Sequence, residues 1–339
     1  MADLRDLVAD AMDRAGEELT AEPEATFVLG DIAIALRLAP VGRIPLLSSM
    51  IASRRSAPAE GAWSIDVVGG SPERYGALLP AAAHRGDAVL RSTPELYYLW
   101  LDEAGGYLTA IDRRRRRGLV WFTRPEGVAS WHVARPLLHA LKGLSLDTPW
   151  LPIHAAAIAR GGRAVVVVGM SGAGKTSIAL AAAMTGWNYL GDDAILVRAD
   201  PPVAAALYSS CRVRTDMFGI FRDAMTSSLG VSDDSGEIKA ELDLARMGAC
   251  TAATARIVAV VVPYLAGAPE PALSPLGRSE TVRKIAFAAR QSIQGDDAQS
   301  FSKISAVVRD IPCYALDPGP DPFAAARALG ELLPDAWAA

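Results

Sequence analysis

The chain has 339 residues, 51% hydrophobic and 21% charged, with a formal net charge of −4. That length exceeds one ordinary domain and suffices for two cores, and the composition is globular and excludes a disordered chain. The weak negative charge gives no global electrostatic reason to bind nucleic acid or an anionic membrane, so neither is expected as a partner.

The opening stretch, MADLRDLVADAMDRAGEEL, is acidic throughout and lacks a central apolar block, so no signal peptide is expected. No run of about 18 to 20 apolar residues predicts a membrane span. Three scattered cysteines, Cys211, Cys250 and Cys313, lack the paired spacing of a zinc site and suit a reducing compartment. A cytoplasmic protein is expected.

Leu4, Leu7, Val8, Met12 and Ala15 recur at helical spacing up to about residue 20. From Ala25 to about Val133, ATFVLGDIAIALRLA, WSIDVVGG, AVLRSTPELYYLWLD, GYLTAID and GLVWFTR are branched and aromatic runs broken by Gly, Pro and Asp. They predict a smaller mixed α+β domain over residues 1–150, with no recognisable chemistry. Within it, Arg113 to Arg117 form an unbroken basic run between two strand-like flanks, which reads as a solvated hairpin turn; a site for an acidic peptide or a phosphate is the alternative.

Ala134 to Ser145 reads as a helix closed by a glycine, and Leu146 to Pro152 as a connector. The second domain, residues 151–339, opens with strand IHAAAIAR, turn GGRA, strand VVVVG, loop MSGAG, helix KTSIALAAAMTG, then WNYLGDD and AILVRA. VRTDMFGIFRDAM is expected to be helical in its second half, and ARIVAVVVPYL to be a strand. Helices are predicted at Glu280 to Gln294 and near Phe301 to Arg309, followed by the strand PCYALD and a closing helix from Asp321 to Leu333.

Gly169 to Thr176, GMSGAGKT, matches GxxxxGK[ST] in full, between an apolar strand and a helix-forming run. Glycines let successive N–H groups point inward as an anion nest, and the helix adds the positive end of its dipole. The expected nucleotide contacts are Gly169, Ser171, Gly172, Ala173, Gly174, Lys175, Thr176 and Ser177. Lys175 would pair with the β- and γ-phosphates and the Thr176 hydroxyl would sit on Mg²⁺.

One helix and one short strand later, Asp192 and Asp193 are expected at the end of the strand adjacent to the loop strand. Ligands of open α/β sheets lie beyond the strands' carboxyl ends, where one carboxylate can help hold a metal and another can accept a proton from an attacking hydroxyl. Successive strand residues face opposite ways, so both reach the site only if the strand has ended. The later strand IVAVVVPYL runs out through Pro263 and Tyr264 without a carboxylate, which argues against a motor ATPase.

The His154 segment IHAAAIARGGRAVVVVG, the loop GMSGAGKTS, the helix ending in TGW and LGDDAILV resemble, in order and spacing, the catalytic domain of the bacterial HPr serine kinase/phosphorylase family. They are closer still to its shorter relatives found with peptide-modification clusters, such as lasso-peptide kinases. The resemblance covers roughly Pro152 to Leu333 and is most specific up to Val197. It implies an α/β fold, a P-loop kinase domain of the phosphoenolpyruvate carboxykinase-like type, with ATP and Mg²⁺ as cofactors. It further implies Asp193 as base toward a serine hydroxyl, Asp192 as metal partner, and His154 near the phosphates, orienting the substrate or a carboxylate. The implied partner is a peptide or protein with an acceptor serine, such as a ribosomally made peptide natural product or its precursor, and a homo-oligomer is implied as well.

Thr176-Ser177 stands where the bifunctional enzymes have Ser-Glu, and their basic Gly-Arg-Asn-like segment, associated with phosphorolysis, is missing. The kinase half is therefore the better supported, and the divergent N-terminal domain does not support HPr itself as acceptor. Arg212, Arg214, Arg283, Lys284 and Arg290 are further candidates for phosphate or substrate, because guanidinium groups suit charge spread over phosphoryl oxygens. A small-molecule kinase and a nucleotide-gated binding module remain the competing readings, since shikimate-type kinases use the same aspartate spacing.

Overall fold

The computed structural model describes residues 3–19, 23, 25–39, 54–55, 61–80, 88–102, 105–128, 132, 135–234, 237–290 and 297–333. It divides into two compact units, Met1–Thr148 and Pro149–Ala339.

The first unit carries a mixed eight-stranded sheet of β1 (Ala25–Leu29), β2 (Ile32–Leu38), β3 (Arg54–Arg55), β4 (Trp63–Gly69), β5 (Ala88–Ser92), β6 (Leu96–Leu101), β7 (Tyr107–Asp112) and β8 (Arg117–Phe122). Their order is β3-β1-β2-β4-β8-β7-β6-β5, with β2, β4 and β8 parallel and the other pairs antiparallel. Helix α1 (Leu4–Glu18), capped by the Asp3 side chain, lays Val8, Ala11, Met12 and Ala15 on one face against Tyr98, Trp100, Leu108, Leu119 and Trp121. Two short turns of helix, α2 (Pro72–Tyr75) and Gly76–Leu78, add Tyr75 and Leu78 to the same core.

Helix α3 (Leu138–Ser145) packs against β6 and β7. Both faces of the central strands are thus covered, which is why LYYLWL and YLTAID are buried at every position instead of alternating. Gly143 does not close α3, as the sequence leads one to expect; a Cβ there would meet Tyr97 at 2.6 Å and Ile111 at 3.1 Å, so close packing explains the glycine. The expected start at Ala134 lies outside the described residues.

The arginine run is a hairpin turn between β7 and β8, and its side chains are used internally. Arg113 reaches Asp147 and Ser92, Arg114 pairs with Glu95, Arg116 donates to the Gly61 carbonyl and lies over Trp63, and Arg117 bonds Asp13 and the Met12 carbonyl. The acidic-peptide reading thus has little to rest on.

The second unit contains β9 (Leu151–Ile153), β10 (Ala155–Arg160), β11 (Arg163–Val168), helix α4 (Lys175–Met184), β12 (Asn188–Gly191), β13 (Ile195–Arg198) and β14 (Val203–Ala206). Next come β15 (Ser210–Arg214), β16 (Ser228–Asp234), β17 (Glu237–Asp243), β18 (Thr254–Pro263), β19 (Ala272–Pro275), α5 (Arg278–Arg290), α6 (Asp297–Val308), β20 (Cys313–Asp317) and α7 (Pro322–Leu329). The main sheet runs β12-β10-β11-β18-β14-β13-β9; β20 also pairs with β18, and β19 with β20.

Ten-residue β18 keeps β11 along one edge, while on the other it pairs first with β14 and then with β20, so the sheet forks there. Strands β9 and β10 stand far apart in the pairing order yet are joined through His154 alone, which requires the sheet to curl back on itself. Helices α4 and α7 pack together on the face that presents Ala156, Ile158, Val165, Val167, Ala259 and Val261, while α5 lies against β9, β11 and β18.

Three sequence expectations change. IHAAAIAR is two strands broken at His154, because β9 pairs with β13 and β10 with β11. The connector before it therefore ends as a strand. VRTDMFGIFRDAM forms β15 followed by short 3-10 turns at Thr215–Met217 and Ala224–Ser227, with Phe221 buried in the core but no α-helix. Strands β15, β17 and β16 make a separate antiparallel sheet, in which Ser232, Asp233 and Asp234 of the polar stretch SDDSGEIKAEL pair with Lys239, Ile238 and Glu237. Residues 291–294 of the helix expected to run to Gln294 lie outside the described residues. Among the described residues, no helix is long and apolar enough to cross a membrane.

Candidate active site

The sheet delivers three sequence-predicted segments to one edge. Ala155 pairs with Val168, so His154 stands beside Gly169 where β11 gives way to the glycine loop. Ala157 pairs with Gly191, so Asp192 and Asp193 leave β12 at the same edge. The aspartate strand is not the neighbour of the loop strand, as expected from spacing; β10 runs antiparallel between them. A hairpin preceding the loop strand occupies that place, and the short β12 adds to its outer edge.

In the loop, Gly172 (φ 82°) and Gly174 (φ 88°) adopt left-handed backbone, with nothing within 4 Å of where a Cβ would stand. Gly174 is the N-cap of α4 and supplies no side-chain hydrogen bond, so the first-turn N–H groups have no capping side chain. Ser171 and Gly172 are exposed, Thr176 and Ser177 half-buried, and Gly169 and Ala173 buried. Lys175 is only 5% exposed, and its Nζ donates to the Gly169 carbonyl at 2.8 Å and the Met170 carbonyl at 3.0 Å. Burial pushes its pKa below the ordinary lysine value, and the charges of Asp193 and then Asp192 push it back up. Both carboxylates therefore act electrostatically on the loop lysine.

The two aspartates differ. Asp192 is 1% exposed and its Oδ1 accepts a hydrogen bond from the Tyr189 hydroxyl at 2.8 Å. Asp193 is half-buried in a bend with φ 56°, and the Ala194 N–H donates back to the Asp192 carbonyl. Because the strand has ended at Gly191, the alternation that would separate neighbouring side chains no longer applies.

The remaining candidates are less central. Arg212 faces Glu241 across the β15–β17 ladder, with Nε 3.5 Å from Oε2, so its charge is already balanced. Arg214 is exposed beside Asp216, and Arg283 and Lys284 are exposed on α5; the Arg290 side chain lies outside the described residues. Tyr189 is the residue that sequence reasoning missed. It precedes Asp192 by three positions in WNYLGDD, and only the fold turns its hydroxyl toward the carboxylate.

The arrangement fits a phosphate-bearing ligand: an uncapped helix N-terminus, a glycine loop and a buried lysine face one edge. It also fits Mg²⁺, which is held through one or two carboxylates with phosphate and water completing the shell. Among the described residues no group of three or more His, Cys, Asp or Glu gathers as an all-protein metal cage.

No family model matches the chain, and no curated protein matches it. Among solved structures it is similar to the Hpr(Ser) kinase/phosphatase from Coxiella burnetii, with 11% identity and a TM-score of 0.26 over 54% of this chain and 93% of that one.

Proposed function

We propose that the Pro149–Ala339 unit is an ATP- and Mg²⁺-dependent kinase that phosphorylates a serine hydroxyl on a peptide or protein, with a phosphoenolpyruvate carboxykinase-like nucleotide fold. The observation that carries this reading is the meeting of the Lys175 loop and the Asp192–Asp193 pair at one sheet edge, with both aspartate charges felt at Lys175. When bound, ATP supplies the phosphoryl group and Mg²⁺ neutralises charge on its oxygens.

The chain's own residues divide the remaining work. Gly169, Ser171, Gly172, Ala173 and Gly174 shape the loop around phosphate oxygens, and the α4 N-terminus with Lys175 balances their charge. Thr176 and Asp192 hold the metal. Ser177 extends the first turn of α4 along the phosphates, and His154 orients the acceptor from the β9–β10 corner. The half-buried Asp193 is the carboxylate open to an incoming substrate, and it takes the proton of the serine hydroxyl. The acceptor's identity as a ribosomally made peptide rests on the resemblance of the IHAAAIARGGRAVVVVG, GMSGAGKTS, TGW and LGDDAILV segments alone.

The test is mass spectrometry of a peptide panel incubated with ATP, Mg²⁺ and either wild-type protein or Asp193→Asn. A gain of phosphate on serine with wild type only is the expected result. Bound nucleotide without transfer to any peptide would instead favour a small-molecule kinase or a nucleotide-gated module.

A further inference from the structure

The sheet edge that carries the glycine loop also carries an exposed apolar cluster. β18 lies beside β11 on the side away from β10 and β12, and a Cβ on Gly169 would stand 3.4 Å from the Pro263 ring, so the loop begins against the end of β18. One residue further along each segment stand Met170 and Tyr264, the latter followed by Leu265; they are 49%, 44% and 70% exposed. Exposed apolar side chains scattered singly need no explanation, but three gathered at the rim of a ligand site do.

The segment that carries Tyr264 and Leu265 is fixed by its backbone. The Tyr264 N–H donates to the Leu316 carbonyl at 2.9 Å, which carries the β18–β20 ladder one step past Pro263. Beyond it the buried Asp317 carboxylate accepts from the Ala266 N–H at 3.1 Å, the Ala268 N–H at 3.0 Å and the Gly319 N–H at 3.3 Å. Gly319 lets the segment close down on it, since a Cβ there would meet Glu270, Pro271 and Ala268 at 3.3–3.5 Å. Tyr264 and Leu265 are thus presented from a held frame, and little ordering is needed when a ligand arrives.

The position of the aspartates decides what meets this cluster. Phosphoryl transfer places the attacking and leaving oxygens roughly in line across the transferred phosphorus. Asp193 follows β12, two strands from β11 on one side; Tyr264 follows β18, one strand from β11 on the other. If Asp193 takes the proton of the acceptor, the acceptor approaches from the β12 side, and the leaving diphosphate with its nucleoside extends toward β18. Three strand spacings of about 4.8 Å make the whole span roughly 14 Å. The phosphates then lie over the loop between the two ends, and the nucleoside reaches the apolar cluster.

We propose that Met170, Tyr264 and Leu265 form the seat of the nucleotide's base, with the Tyr264 ring stacked on it; this assignment rests on the kinase reading of the same site. Every base presents a π-face, so an aromatic ring supplies affinity without hydrogen-bond readout of the base. Small-molecule sites are lined mainly by apolar and aromatic side chains, and these three supply that lining beside a loop otherwise suited to phosphate. The seat favours a nucleoside triphosphate over a bare polyphosphate of the same charge.

The test is calorimetric titration of the full chain, in Mg²⁺, with ATP and with inorganic tripolyphosphate. Wild type binds ATP more tightly than tripolyphosphate by about tenfold or more, and Tyr264→Ala removes that difference by weakening ATP, while tripolyphosphate, held by the loop alone, keeps its affinity. Tyr264→Phe restores most of what Tyr264→Ala loses, because the ring face does the stacking, and Leu265→Ala lowers ATP affinity by a smaller factor. Unchanged ATP affinity in Tyr264→Ala overturns the proposal, and a raised KM for an acceptor peptide in that variant would give the cluster to the acceptor instead. Equal loss of ATP and tripolyphosphate would mean damage to the loop and overturns it as well. The two readings fail separately: tripolyphosphate bound to wild type as tightly as ATP sinks the base seat alone, whereas wild type that binds neither ligand sinks the kinase reading and the seat with it.

Discussion

The Tyr189 hydroxyl stands 2.8 Å from Oδ1 of Asp192. It is also 2.8 Å from the Ser210 carbonyl, so its single hydrogen is shared between two acceptors and ties β12 to the smaller sheet. Tyr189→Phe removes that donor from a carboxylate that is 1% exposed. The expected loss of stability is about 1–3 kcal/mol. Phosphate transfer falls more than nucleotide affinity does, because Asp192 loses its orientation while the loop is intact. Thermal unfolding and separate measurement of turnover and nucleotide binding check this; equal turnover in the variant would remove Tyr189 from the site.

Gly174 tests the loop by backbone alone. A Cβ there meets nothing within 4 Å, so Gly174→Ala introduces no clash, but φ 88° is costly for any L side chain. The expected destabilisation is about 1 kcal/mol, with a loss of nucleotide affinity of roughly tenfold or more as the α4 N-terminus shifts. Gly219→Ala, also with open space around it and no left-handed φ, leaves both unchanged. Equal effects at the two positions would mean that the loop geometry is not what binds.

The glycine loop and α4 were legible because a local pattern defines them: an apolar strand, glycines at set spacing and a helix-forming run. The strand intervening between loop and aspartates was not, because pairing order is non-local and IHAAAIAR looks the same whichever neighbour it takes. The His154 break has the same cause; β9 and β10 are contiguous in sequence and belong to different parts of the ladder. The helix expected in the second half of VRTDMFGIFRDAM failed for another reason: Phe221 and Ala224 reach the core from turns and a short 3-10 segment, so the burial needs no α-helix.

In the first unit Asp66 is fully buried in β4 and takes a bidentate pair from Arg37, with Nε and Nη2 each 2.7 Å from a carboxylate oxygen. Arg117 approaches the same carboxylate at 3.6 Å. Asp66→Leu leaves two guanidinium groups facing an apolar side chain, and the expected loss is about 3–5 kcal/mol. Nucleotide binding, measured below the lowered unfolding temperature, is unchanged, because these residues belong to Met1–Thr148 and the glycine loop does not. A near-normal melting temperature would show that the pair gains no more from burial than it loses in desolvation.

Among the described residues of the first unit, the buried bases include His132, His139 and Lys142. His132, stacked on Tyr107 at 4.3 Å between ring centroids, is pushed by burial to about 3. His139 is pushed to about 2 by burial, with Lys142 and His132 adding repulsion, and burial brings Lys142 to about 8. Each is depressed in the fold, so the unfolded chain binds more protons and stability rises with pH wherever a group is protonated only when unfolded. For the histidines that window runs from about 6.5 down to their folded values, with stability lost as pH falls at up to about 1.4 kcal/mol per unit and group. For Lys142 it lies between about 8 and 10.5, with stability gained as pH rises. Urea unfolding at pH 5, 7 and 9.5 therefore gives increasing midpoints; His139→Gln reduces the acid loss, and Lys142→Met raises stability at pH 7 and removes its alkaline gain. A midpoint that does not fall between pH 7 and 5 in wild type would place these side chains in water.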